Sequence, residues 1–285
     1  MDFSISKAFS DATRSVTERL GSQIAVWAVF FAIQIGAMVV MVIAMGGSIM
    51  ALAAGTGVDS ANPLASLGAG MILFIALFYL ALIAIAMAAN AAQVTIASQL
   101  HQPSVGDSVN NGFRSALPLL GAAVLLLIGY FVIALALSLV GAALGAAAGA
   151  GAASLLLIGI VGLALAYLGT RLSMVVPAVA LDGERNPINA IARSWRMTDG
   201  KVLPVFLTYL VFIIALAVII GGVAAALVLP TMSGGAAPGF GTIATIFVLY
   251  LVGIVALTIY AASLTAAVHQ QLSGRAVEDA SDTFA

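Results

Sequence analysis

The sequence predicts an all-α, polytopic membrane fold of about six transmembrane helices, and three observations carry that expectation. Hydrophobic residues make up 63% of the 285-residue chain and charged residues only 7%, against roughly 25% charged in an ordinary soluble domain. Six apolar runs reach the length of about 20 residues that a bilayer span needs. The few positive charges fall almost wholly on alternate sides of those runs.

So few charges cannot cover a water-soluble surface, so lipid is the solvent for most of the chain. The six runs extend from about Ser22 to Gly46, Ala69 to Ser98, Ser115 to Ala146, Ala152 to Ala180, Val202 to Leu229 and Thr242 to Gln270. Several exceed the minimum, which predicts tilt or extension beyond the bilayer. Only the Ala/Gly stretch Ala146–Gly151 divides the third run from the fourth. One unbroken helix from Ser115 to Ala180 would far exceed any bilayer, so a break is expected there. At the start, Met1–Gly21 mixes polar and apolar residues and lacks the compact basic and apolar regions of a cleaved signal peptide. The first run is therefore read as a retained helix.

Lys7, Arg14 and Arg19 precede the first span, and Arg114 lies between the second and third. Arg185, Arg193, Arg196 and Lys201 lie between the fourth and fifth, Arg171 stands inside or at the edge of the fourth, and Arg275 follows the sixth. The alternate loops Gly47–Gly68, Ala147–Gly151 and Pro230–Gly241 hold no Lys or Arg. By the positive-inside rule, both termini are expected in the cytoplasm. Turn-forming Gly, Ser and Pro dominate the longer outer loops. No polar stretch is long enough for a separate domain. The chain is expected to be one transmembrane domain with a short polar tail at 272–285.

Each outward-going span follows a segment with helical amphipathicity. Ile5, Ala8, Phe9, Ala12, Val16 and Leu20 share one face before the first span. Val105, Val109 and Phe113 do so before the third, where Gly106 and Gly112 weaken helix propensity. Before the fifth, Ile188, Ile191, Ala192 and Trp195 form a stripe at i, i+3, i+4 and i+7. Asn186 suits its N-cap, Pro187 its first turn, and Asp199-Gly200 its end. These segments suggest three units, 1–98, 99–182 and 183–271, each an interfacial helix followed by a transmembrane hairpin.

The stretch Arg171–Gly200 is the most specific in the chain. Arg171 and a short apolar run lead to Pro177, then to the acidic turn Asp182-Gly183-Glu184, then to an amphipathic helix ending in Ser194-Trp195 and Gly200. It resembles the polytopic membrane domain fused to some bacterial glycerophosphodiester phosphodiesterases and also found as stand-alone inner-membrane proteins. In the fused proteins the phosphodiesterase chemistry belongs to a separate metal-dependent barrel, for which these residues leave no room. The resemblance implies a bacterial inner-membrane protein with a loose link to lipid or glycerophosphodiester handling.

Nothing in the sequence points to catalysis. Cysteine is absent, which excludes disulfides, thiolate metal sites and cysteine nucleophiles. His101 and His269, the two histidines, fall near helix ends, where exposed single histidines are common. A metal site needs several convergent ligands. No acidic residue lies inside a span, so a carboxylate pair or proton relay has no material. No nucleophile elbow, P-loop or His-Glu-x-x-His motif occurs. The expectation is a non-enzyme without cofactor or metal.

The inward-going spans nevertheless carry polar groups at one level: Asn90 and Gln93 in the second, Arg171 in the fourth, Ser263 in the sixth. A charge deep in lipid costs about 2.5–3.5 kcal/mol. Arg171 therefore either snorkels to the headgroups or faces protein or water. The four together act as interhelical hydrogen-bonding glue, at about 0.6 kcal/mol per contact, or line a cavity open to the cytoplasm. Arg185, Arg193, Trp195, Arg196 and Lys201 suit the inner-leaflet surface and its anionic headgroups. Nucleic acid is not an expected partner, because the membrane is nearer to this small basic patch. Gly141, Gly145 and Gly149 have the spacing that lets helix backbones approach, within the chain or in a homo-oligomer. Two functions remain open: a lipid-associated scaffold or membrane partner of envelope proteins, and a small transporter or channel.

Overall fold

The computed structural model describes residues 3–53, 68–99, 102–148, 150–233 and 239–274. Eight helices occupy the described residues: α1 (Ile5–Ala53), α2 (Gly68–Ala97), α3 (Val105–Ala148), α4 (Ala150–Leu172), α5 (Val175–Ala180), α6 (Pro187–Met197), α7 (Val202–Ser233) and α8 (Phe240–Leu272). Six candidate spans lie on these helices, from Ile5–Gly46 to Ala244–Leu272. The chain is a multi-pass, all-helical membrane protein. The break expected in Ala146–Gly151 falls on a stretch that includes Gly149, outside the described residues; α3 runs to Ala148 before it and α4 starts at Ala150 after it.

The beginnings of α1, α3, α6 and α7 meet the ends of α2, α5 and α8 at one end of the bundle, here called the base. Packing is concentrated there. One core cluster joins Ala8 and Ala12 of α1 to Met174, Val205 and Leu264. A second joins Ala91, Leu119, Val179 and Ala190, and a third joins Val26, Phe30, Ala88 and Ile96. Away from the base the side chains turn outward. Ile43, Leu73, Leu135, Leu163, Val218 and Phe247 are all exposed, as residues in contact with lipid rather than with protein would be. Nine of the ten Lys and Arg residues lie in the described segments, and all nine sit at the basal ends of their elements. The tenth, Arg275, lies outside the described residues, as do His101 and most of the outer-loop residues.

The three leading segments join their spans differently. In α1 the helix continues through a kink at Arg19, whose φ of −127° and ψ of 18° leave helical space. In α3 it continues through Pro118. In the third, α6 ends and α7 begins after Gly200, which turns the chain at φ +67°, a conformation only glycine adopts freely.

The leading helices share a design that the apolar stripes did not reveal. Ser4, Ser104 and Asn186 cap them, accepting from the backbone N–H of Lys7, Asp107 and Ile188. Four and eight residues after each cap come small residues, Ala8 and Ala12, Ser108 and Gly112, Ala190 and Ser194, and all six are buried. Some of the large apolar residues face outward, Leu20, Phe113 and Ile188 being exposed, while Phe9, Val105, Val109 and Ile191 pack at the edge of the core clusters. Gly112 is there for contact rather than for turning. A Cβ at this position would lie 2.5 Å from the carbonyl oxygen of Ala88, so the absent side chain lets α3 rest directly on α2.

Candidate functional site

Helices end with unsatisfied carbonyl groups, and in lipid those groups need protein partners. At the base, the leading segments supply them. The Ser15 hydroxyl donates to the carbonyl of Ala97 at 2.8 Å, and Arg19 Nη1 donates to that of Ile96 at 2.9 Å, both at the end of α2. Asn111 Nδ2 of α3 donates to the Ala180 carbonyl at 2.8 Å, at the end of α5, and to Thr95 Oγ1 at 2.9 Å. Arg185 holds Ser115 Oγ at 3.2 Å and Asn111 Oδ1 at 3.4 Å. The Ser194 hydroxyl of α6 donates to the Arg171 carbonyl and accepts from Met174 N–H, which closes the gap between α4 and α5.

The four polar residues expected at one level separate into three environments. Gln93 and Ser263 meet, through a residue the sequence did not single out. Gln23 Nε2 lies 3.3 Å from Ser263 Oγ and 3.3 Å from the Ser15 carbonyl. Gln93 Nε2 donates to the Gln23 carbonyl at 3.1 Å. This trio is buried and ties α1, α2 and α8 together.

Arg171 lies elsewhere, 8% exposed. Its guanidinium donates to Tyr167 Oη, the Trp195 carbonyl and Asp199 Oδ1, each at 3.1 Å. It also sits 5.0 Å from the centre of the Trp195 ring and 5.4 Å from that of Tyr167. Five donors in a planar fork can hold three acceptors at once while the two rings favour the cation. Arg171 therefore faces protein, and it anchors α6 to the end of α4.

Asn90 stands apart. Its side chain is exposed, and it makes no hydrogen bond among the described residues. It lines a cavity of about 510 Å³ between α1, α2 and α8, together with Gln34, Gln93, Thr258 and Thr265. Asn90 and Thr265 also line a second cavity of about 510 Å³, shared with α4 and α7. A third cavity, about 640 Å³ and mostly apolar, lies between α3 and α4 above Ile191 and Trp195.

A buried ion cluster completes the base. Asp182 Oδ2 accepts from Arg193 Nε at 2.7 Å and lies 3.1 Å from His269 Nε2. The Asp182 and His269 side chains are only 3% and 1% exposed. Burial pushes the Asp182 carboxyl up, but the hydrogen bonds and charges of His269 and Arg193 outweigh it and hold the group below the usual carboxylate range. The expectation of an exposed His269 is thereby corrected. The helix end where it sits is covered by the Leu181–Asp182 turn, a contact invisible in a local reading.

The interface residues distribute along the base. Trp195 is 38% exposed and Ile188 63%. Arg196 and Lys201 make no ion pair with any described residue, whereas Arg185 and Arg193 are engaged within the bundle. Gly141 meets the side chain of Leu157, so this glycine serves the close approach of α3 to α4.

Ser15, Gln23 and Asn111 escaped the sequence reading, and Asp182 and Ser194 entered it only as members of the stretch Arg171–Gly200, without a contact assigned to them. One signal was present for two of them: the dipeptide Arg-Ser recurs at Arg14-Ser15, Arg114-Ser115 and Arg193-Ser194, and all three serines are buried.

No curated protein and no solved structure matches the chain. From the first residue of α4 to beyond the end of α8, residues 150–283 match the family model of the membrane domain of glycerophosphoryl diester phosphodiesterase, the family that Arg171–Gly200 resembles.

Proposed function

We propose that the protein is a non-enzymatic, lipid-associated membrane domain of the bacterial inner membrane, with both termini in the cytoplasm, which serves as a scaffold or membrane partner for envelope proteins. The observation that carries this reading is the setting of α6. Its small face, Ala190 and Ser194, is fully buried in the bundle, while Ile188 and Trp195 point outward. Arg196 and Lys201 stand free of ion pairs among the described residues beside that outward face. An apolar and aromatic face flanked by unpaired cations suits the headgroup region of an anionic leaflet. The base thus offers a fixed platform on the membrane surface, with unpaired cations along its α6 edge.

The test is thermal unfolding of the detergent-purified protein with added phosphatidylglycerol or phosphatidylcholine. A ligand that binds the folded state raises its apparent stability. Phosphatidylglycerol should raise the midpoint more, and the combined Arg196→Gln and Lys201→Gln substitutions should remove the difference. Equal response to the two lipids would sink the reading. A second reading, a small transporter, is favoured by one observation: the two cavities that share Asn90 and Thr265.

A further inference from the structure

Asn90 is a polar side chain about two turns inside the basal end of a membrane-spanning helix. An unsatisfied amide in hydrocarbon is costly, and polar side chains at such depth normally find a partner in a neighbouring helix. Gln93, one turn away, does so with its nitrogen only. Its Oε1 is buried without a hydrogen-bond partner among the described residues, although the residue is 6% exposed and lines the same cavity as Asn90. Two amides on one helix face thus have capacity to spare at one cavity.

The cavity's chemistry limits what could satisfy them. Its polar lining is Gln34, Asn90, Gln93, Thr258 and Thr265, all uncharged. A phosphate or carboxylate placed there would lack a cationic partner, since Arg171 is committed to Tyr167, Trp195 and Asp199. An ammonium would equally lack an anion. Amides and hydroxyls donate and accept together, which is what a neutral hydroxylated group requires. The rest of the wall is apolar and aromatic, with Trp27, Phe31 and Leu251. Its volume of about 510 Å³ is in the range of about 300–1,000 Å³ usual for small-molecule sites.

We propose that this cavity between α1, α2 and α8 binds an amphiphile with an uncharged, hydroxyl-bearing head, the head hydrogen-bonded to Asn90 and Gln93 and the acyl chain along the apolar wall. The second cavity continues from the same Asn90 and Thr265 toward α4 and α7, so the head sits where the two chambers meet. The inference needs only the multi-pass membrane fold. It stands or falls apart from the platform function, because its site shares no residue with α6.

The experiment uses the full chain in phosphatidylcholine nanodiscs. The probes are a diazirine analogue of mono-oleoylglycerol and the matching analogues of oleic acid and of lysophosphatidic acid. The neutral probe should label α2 and α8 peptides at least fivefold more than either charged probe. Excess unlabelled mono-oleoylglycerol should compete, and glycerol alone should not. Asn90→Leu should cut the labelling at least fivefold and Asn90→Gln should restore most of it. The competition and charge comparisons need no variant, so they hold even if Asn90→Leu fails to fold. Equal labelling by neutral and charged probes overturns the proposal. So does competition by glycerol alone, which would mean a soluble polyol, or unchanged labelling in a folded Asn90→Leu protein.

Discussion

The Ser194 hydroxyl donates to the Arg171 carbonyl oxygen across 2.7 Å, at the place where the fourth span breaks. The Ser194 Oγ in turn accepts from Met174 N–H at 3.2 Å. One side chain thus serves both a carbonyl left over by α4 and the N–H at the cap of α5, in a position without water access.

Ser194→Ala would leave both backbone groups buried and unpaired. Such a loss costs about 1–3 kcal/mol. Thermal unfolding of the purified protein should show a clear drop in midpoint, and a wild-type midpoint would mean that another group takes over both bonds.

Arg171→Ala should leave membrane insertion intact, because α4 is apolar enough to insert without it. The folded protein should lose stability, since α6 would lose the fork that holds the Trp195 carbonyl. Asp199→Asn should matter much less, the Asp199 side chain being 75% exposed. Protease resistance of α6 in the two variants separates the contributions: equal cleavage would contradict the ranking.

Gly112→Ala should destabilise by about 1–3 kcal/mol, the usual cost of overpacking, because the added methyl would meet both the Ala88 carbonyl and Ala92 Cβ. Gly106→Ala, whose new methyl meets nothing closer than 3.9 Å, should be neutral or stabilising, since alanine is the better helix former. Comparing the two midpoints tests whether α3 truly rests on α2.

Asp182 makes stability depend on pH in a defined direction. A carboxyl held below its unfolded value stabilises the fold above that value, about 3.9, and the contribution disappears as pH falls through the lower folded-state value. The unfolding midpoint should therefore decline as acidity increases below about pH 4 to 5. Asp182→Asn should flatten this part of the profile and lower the midpoint near neutrality. An unchanged profile would show that other carboxylates govern the acid limb.

Single cysteines test the sorting of the polar level, in a chain with no natural cysteine. Asn90→Cys should react with a small thiol reagent, Gln93→Cys more slowly at the wall of the same cavity, and Ser263→Cys should be protected. Uniform reactivity would mean one wet chamber, and uniform protection a closed bundle around Asn90.

The six spans were legible because apolar length and charge placement act over whole segments. The polar contacts were not, because they depend on which helix ends meet. Gln23 reads locally as a residue at headgroup depth. Only the meeting of α1 with α2 and α8 gives it work inside the bundle, between Gln93 and Ser263. Asp182 and His269 are 87 positions apart, and no periodicity links them. The apolar stripe of α6 is legible, but the face that fixes the helix is the opposite one, of Ala190 and Ser194, whose smallness hides it from a hydrophobicity pattern.

The concentration of packing at the base has a mechanical consequence. A bundle joined along its whole length must strain its contacts when the surrounding bilayer thins or thickens. Here the outer halves of the spans leave most of their described apolar side chains exposed, so, the α3–α4 contact at Gly141 apart, they can change their tilt while the knot of serines, glutamines and arginines beneath stays intact. The molecule is built to tolerate membranes of different thickness, with its fixed point at one leaflet and its compliance at the other.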